Sequence, residues 1–330
     1  MTKHNTKART AKTPEEPTKS SPFAGIDVGK ARLDVALWQS RQALCFANDA
    51  AGRGQIIAFL QRHGVSRVGL EASGSYEMEI TEALRAAGFE VVVFQPAQVR
   101  AYAVFKLQRA KTDPIDAKLI ASCTAAVEEV RSAPDPRFIA LAEHLTLIEQ
   151  ITEDIARAKT RRGRFRDPRL RKVVQEEIKR LTARRRQEIG RLREAVLADE
   201  DLKIRFKLLL SIQGIGEPTA LALLIRMPEL GTVSREKAAA LLGVAPVADD
   251  SGNRQGSRHI AGGRARPRTG LFAATQAAAR LWNPALIAFY ERLIKAGKPY
   301  AVAIIACTRK LIIYANTVLA RGTPWEARQT

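Results

Sequence analysis

Phe23-Ala-Gly-Ile-Asp-Val-Gly-Lys30 is an apolar run of strand length with one acid, Asp27, inside it and a Gly-Lys turn at its end. A carboxylate inside a buried strand is costly unless it faces a site or has a partner. Outward from this stretch the same pattern of short apolar runs between turn residues recurs. Leu33 to Trp38, Ala43 to Ala47, Arg67 to Leu70 and Glu90 to Phe94 read as further strands. Gly29 and Lys30 turn the first strand into the second, and Ser40 and Arg41 the second into the third, an antiparallel meander. Helical spacing follows over Gln55 to His63, Glu77 to Ala87, Ala97 to Lys106 and Pro114 to Val127.

Three hairpin strands followed by alternating helix and strand is the ribonuclease-H-like order, a mixed sheet with helices on its faces. Ala133-Pro-Asp-Pro136 breaks this α/β domain from a long helical stretch, Phe138 to Ala198, where Leu141, Leu145, Ile148, Thr152 and Ile155 recur at helical spacing and suit a second helix. Its later part is dense in Arg and Lys, with Arg161, Arg162, Arg164, Arg166, Arg169, Arg171 and Lys172 around Asp167 and Pro168, which predict a kink. Like charges so crowded repel unless an anion screens them, so nucleic-acid contact is expected here as against a solvated face. Beyond Leu202 come a helix, a Gly-Ile-Gly turn and a helix in Lys207 to Met227, a Gly- and Arg-rich stretch from Asp249 to Arg268, and three helical runs. The expected organisation is a basic tail over 1–22, an α/β domain over 23–130, an Arg-rich helical coiled-coil connector over 131–200 and a mostly helical domain over 201–330.

The formal charge of +20 in 330 residues, with a pI near 10.4, points to a polyanion partner, nucleic acid first. With 46% hydrophobic residues the chain can bury one or two cores, which excludes disorder throughout. Cys45, Cys123 and Cys307 are far apart and the histidines show no ligand spacing, so neither a disulfide framework nor a zinc site is expected. The richest apolar stretch, Tyr300 to Leu319, is interrupted by Arg309, Lys310 and Asn316, and no membrane span is expected from it. The first 22 residues lack the apolar core of a signal peptide, so the expected location is cytoplasmic.

Glu71 ends Val68-Gly-Leu-Glu and is followed by the small residues Ala72, Ser73 and Gly74. In Lys111-Thr-Asp-Pro-Ile-Asp-Ala-Lys118, Pro114 favours a first helical turn, so Asp113 is a natural N-cap with Asp116 three residues on, on the same side. Singly, each acid has a structural reading: a cap, a capping box, a buried hydrogen bond. Together, Asp27, Glu71, Asp113 and Asp116 supply the hard oxygen ligands that two Mg2+ ions need, held roughly 4 Å apart around a phosphate. At Gly25-Ile-Asp-Val-Gly-Lys30, Glu71-Ala-Ser-Gly-Ser-Tyr76 and Lys111 to Lys118 the chain resembles the DEDD transposases, insertion-sequence recombinases guided by a bridge RNA. The resemblance runs over almost the whole chain from Phe23 and implies a RuvC-like first domain with Asp27, Glu71, Asp113 and Asp116 as the Mg2+ tetrad, Mn2+ being a possible substitute.

Ser211-Ile-Gln-Gly-Ile-Gly-Glu-Pro-Thr-Ala220 joins two apolar helices through Gly214 and Gly216, and a Gly-X-Gly turn before a helix exposes N–H groups to a phosphate. It resembles a helix-hairpin-helix element, and an ordinary helix connection reads equally well. In Asp249-Asp-Ser-Gly-Asn-Arg-Gln-Gly-Ser-Arg258 and Gly262-Gly-Arg-Ala-Arg-Pro-Arg268, Arg254, Arg258, Arg264, Arg266 and Arg268 are candidate phosphate ligands through bidentate bonds. The family's second domain carries a nucleophilic serine just before a glycine, upstream of such a stretch. Ser251 is the match, and Ser257 the competing candidate. Pro267 departs from the family pattern and leaves the start of the next helix open.

The resemblance thus implies cutting and rejoining of target and donor DNA through a phosphoserine intermediate, in a homo-oligomer, a tetramer, that holds a guide RNA. Two other readings stand beside it: a RuvC-like metal-dependent nuclease or Holliday-junction resolvase using water, and a non-enzymatic nucleic-acid-binding protein.

Overall fold

Strand β1 (Phe23–Val28) is the middle of a five-stranded sheet ordered β3-β2-β1-β4-β5. It pairs antiparallel with β2 (Arg32–Leu37), which pairs antiparallel with β3 (Ala43–Ala47). On its other side it runs parallel to β4 (Arg67–Glu71), itself parallel to β5 (Glu90–Phe94). The computed structural model describes residues 22–40, 43–107, 113–130, 135–247 and 258–326, the side chains of 113–115 and 247 excepted, and the chain divides into two compact units, Met1–Ala133 and Pro134–Thr330.

In the first unit the side-chain alternation of a strand sorts the sheet's faces. Ile26, Val28, Val68 and Leu70 point to a core shared with Ile56 and Leu60 of α1 (Ala50–Arg62) and Ile80 and Leu84 of α2 (Met78–Ala86). Phe94, with Val99 of α3 (Pro96–Phe105) and Leu119, Ile120 and Cys123 of α4 (Asp113–Ala125), forms a separate cluster. Helix α1 starts earlier than its apolar spacing suggests, because Asp49 caps it with a 2.7 Å bond from the Gly52 amide.

The second unit is mostly helical. Its first two helices, α5 (Arg137–Arg164) and α6 (Pro168–Leu197), correct the expected kink: the chain reverses at residues 165–167, and His144 meets Glu188 while Arg161 meets Glu177, an antiparallel pair. The physical reason is that Asp167 leaves the helical region, accepts the Arg169 amide and starts a new helix with Pro168 at its first position. Ile151, Ile155 and Ala158 of α5 pack on Val174 and Ile178 of α6 in a small core of their own. Nearer the base, Leu141, Leu145, Leu192 and Val196 join one large core with α7 (Glu200–Leu210), α8 (Glu217–Arg226), α9 (Arg235–Leu242), α10 (Ala265–Ala277), α11 (Pro284–Lys295) and α12 (Tyr300–Arg321). Pro267 sits in the first turn of α10, where an N–H has no intrahelical partner to lose.

Helix α12 also corrects an expectation. By length and composition it is long and apolar enough to cross a membrane, with a mean hydropathy of 1.5, and its basic residues do not disqualify it. Half of that window is buried in the protein, where Ile304, Cys307, Leu311 and Ile312 are core residues. The Lys310 ammonium lies 4.3 Å from the Phe289 ring centroid, so one of its charges is met by a π-face.

Candidate active site

Two glycines side by side make room for the helix that carries half of the acids. Gly25 of β1 and Gly69 of β4 are register partners. A Cβ on Gly25 would overlap the backbone of Ala117, Ile120 and Ala121, and one on Gly69 would overlap Thr124, so α4 lies directly on the sheet. Two residues further along each strand, on that same face, stand Asp27 and Glu71. Asp116 precedes Ala117 by one residue near the start of α4, and Asp113 is the first residue of that helix. Asp27, Glu71 and Asp116 are each half-buried.

The acids act on one another. Burial pushes the Asp27 carboxyl above the usual range, and Asp116, Asp34 and Glu71 push it the same way. Among the described residues, no three His, Cys, Asp or Glu side chains stand close enough to form a metal centre; the Asp113 side chain lies outside those residues.

In the second unit, Gly214 adopts φ 102° and a Cβ there would overlap the Ala278 side chain, while Asn283 Nδ2 donates to the Gln213 carbonyl at 3.0 Å. Its glycine requirement therefore has an internal cause, packing against the π-helical turn Ala278–Trp282. Gly216 is the N-cap of α8 with open space around it, and the first turn carries Glu217, 3.4 Å from Arg193. Ser251, Ser257 and Arg254 lie outside the described residues, and Arg258 is exposed. The other candidate phosphate ligands have partners within the protein. Arg264 is 2.6 Å from Glu229 and donates to the Arg226 carbonyl at 2.6 Å, Arg266 is 2.9 Å from Glu149, and Arg268 donates to the Gly262 carbonyl at 2.5 Å.

Both regions coincide with matches to known proteins. A DEDD-type family model described as Transposase matches residues 24–165, and one described as Transposase IS116/IS110/IS902 family matches residues 206–291. The chain belongs to this transposase family. Over 323 residues it is 25% identical to the pilin gene-inverting protein of Moraxella bovis, covering 94% of this chain and 99% of that one. The transposase is a DNA recombinase, and DNA is its substrate.

Two residues of the transposase escaped the sequence reading. Asp34 is the register partner of Asp27, is only 7% exposed and lies 3.3 Å from Arg32; its signal was the same as that of Asp27, an acid inside an apolar strand. Glu77 accepts from the Ser73 amide at 3.1 Å, the Ser73 hydroxyl at 3.0 Å and the Ser75 amide at 3.0 Å, and so closes the loop that follows Glu71. Nothing in the spacing of Glu77 marks it, because its partners are loop amides that every residue carries.

Proposed function

We propose that this transposase cuts and rejoins DNA through a phosphoserine intermediate, with Ser251 as nucleophile and Asp27, Glu71, Asp113 and Asp116 as ligands of Mg2+, or of Mn2+ in its place. The observation that carries the metal reading is geometric: Gly25 and Gly69 seat α4, which begins with Asp113 and Asp116, on the sheet face that bears Asp27 and Glu71. Divalent cations held by such hard carboxylates would relieve the repulsion that Asp116 and Glu71 exert on buried Asp27. Bound there, the cations would supply Lewis-acid stabilisation of charge on the scissile phosphate. The order β3-β2-β1-β4-β5, antiparallel on one side of β1 and parallel on the other, supports a RuvC-like, ribonuclease-H-like first domain over 23–130. We read 131–200 as an Arg-rich coiled-coil connector, and 201–330 as the serine-bearing domain, with α7, the Gly214 to Gly216 turn and α8 as a helix-hairpin-helix-like DNA contact.

In the proposed step Ser251 Oγ loses its proton and bonds to a DNA phosphorus, and the bridging oxygen of the cut strand leaves with the bonding pair and takes up a proton. Attack by a DNA hydroxyl on the phosphoserine reverses the exchange and frees the serine, so bond energy is kept and no nucleotide cofactor is consumed. The name of the Moraxella bovis relative describes gene inversion, which needs rejoining as well as cutting and favours this reading over a hydrolytic nuclease. Family resemblance supports the remaining parts: a bridge RNA that pairs with target and donor DNA, and a homo-tetramer in which tetrad and serine come from different protomers.

Denaturing electrophoresis with end-labelled element DNA tests this directly. Wild type is expected to give a Mg2+-dependent protein-DNA adduct that Ser251→Ala and Asp27→Asn abolish and Ser257→Ala retains. Hydrolysed ends without an adduct would establish the nuclease instead, and loss in Ser257→Ala alone would move the nucleophile to Ser257.

A further inference from the structure

The end of α9 and the approach to α10 meet at one narrow base. Gly243 ends α9 at φ 80°, and Gly262 and Gly263 return at φ 64° and 68°, left-handed conformations that favour glycine. A Cβ on Gly263 would overlap the Gly243 and Leu242 backbone, and one on Gly243 would overlap the Gly262 carbonyl and the Arg268 guanidinium. The outgoing and returning chains therefore touch backbone to backbone. Just beyond, β6 (Pro246–Val247) pairs antiparallel with β7 (His259–Ile260).

Two arginines close this base. The Arg264 amide donates to the Leu241 carbonyl at 2.8 Å, while its guanidinium is tied to Glu229 and the Arg226 carbonyl. Arg268 reaches back from α10, 2.5 Å from the Gly262 carbonyl oxygen and 3.4 Å from those of Leu242 and Gly243. The last carbonyls of a helix lack intrahelical partners and carry partial negative charge, so a guanidinium set among them is complementary in charge and geometry. To take a DNA phosphate instead, Arg268 would have to abandon those carbonyls.

We propose that Arg268, supported by Arg264, is a positioning residue: it clasps the two ends of the segment that carries Ser251 and is not a ligand of DNA phosphate. This rests on the Ser251 reading for its link to catalysis, while the clasp itself stands on the contacts above. The test uses the full chain as Arg268→Ala, with Gly263→Ala as a second route to the same base. Three quantities are read: the salt dependence of DNA affinity, hydrogen exchange at the amides of Val247, His259 and Ile260, and the rate of adduct formation.

The expected result is about tenfold faster exchange and about tenfold slower adduct formation in both variants, from loss of bonds to otherwise unpaired carbonyls or of close packing. The slope of log affinity against log salt stays at the wild-type value. A slope that falls by roughly 0.9 in Arg268→Ala, with exchange unchanged, is the signature of a lost phosphate contact and overturns the proposal. If Arg268→Ala does not fold, Gly263→Ala decides, since unchanged exchange there overturns the clasp. If Ser251→Ala still forms the adduct while Arg268→Ala quickens exchange, the nucleophile assignment fails and the clasp survives.

Discussion

Glu77 shows how a single side chain can hold in place the loop that follows a strand end. Its burial opposes ionisation, but amide and hydroxyl donors from its own backbone, Ser73 and Ser75 outweigh that and hold its carboxyl below the usual range. The loop they close includes Gly74 at φ 76° and Ser75 at φ 106°, a backbone that needs such anchoring because a side chain at that φ is strained. A folded value below the unfolded one means that the stabilisation is present above the unfolded pKa and is lost as pH falls through the folded one. Hydrogen exchange at Ser73 and Ser75, corrected for intrinsic rates, is thus expected to be level from neutrality to about pH 5 and to quicken below about pH 4. Glu77→Gln is expected to quicken exchange at pH 7 and remove this acid response; a variant that keeps the wild-type pH profile refutes the anchoring role.

At the level of the element, the helical pair α5 and α6 depends on one turn. Arg161 bonds Glu177 and Arg162 bonds Gln175 across it, so part of the basic density that reads as a repelling run is paired within the hairpin. Further down, His144 is 2.9 Å from Glu188, which also receives Arg191 at 2.9 Å. A helix continuing through residue 167 would separate positions 162 and 175 by about 20 Å along its axis. With the native cysteines replaced, Arg162→Cys paired with Gln175→Cys is expected to give an intramolecular product with a bismaleimide reaching about 10 Å, seen as one linked peptide pair by mass spectrometry. Absence of that product under conditions that label both cysteines would favour the kinked helix.

Across the whole molecule, the net charge of +20 and the DNA substrate require cationic surface, and the structure distinguishes arginines engaged by other residues of the C-terminal unit from those at the tip of its helical hairpin. Arg264 and Arg268 are half-buried on Glu229 and on the Gly262 and Leu242 carbonyls, and Arg266, though exposed, is paired with Glu149, whereas Arg164, Arg166 and Arg169 are exposed at the tip of the helical hairpin. Replacing the three tip arginines by alanine is expected to lower the salt slope of nucleic-acid binding by about 2 to 3, near 0.9 for each lost contact with duplex DNA and 0.7 with single strands. Titrations in increasing salt measure this, and an unchanged slope would place the binding surface elsewhere.

The sequence alone determined what local chemistry controls. Period-two apolar runs marked the strands of the mixed sheet, helical spacing marked a mostly helical C-terminal region, and Asp27 stood out as a charge inside an apolar strand and Glu71 as an acid at a strand end before small residues. Tertiary structure alone decided how long side chains are used. Arg266 finds Glu149 from 117 positions away, and Gly25 and Gly69 admit α4 because the sheet places them in register, facts that no local pattern encodes. Backbone periodicity is a property of neighbours in the chain, whereas a guanidinium's partner and the space beside a glycine are set by which distant segments packing brings against them.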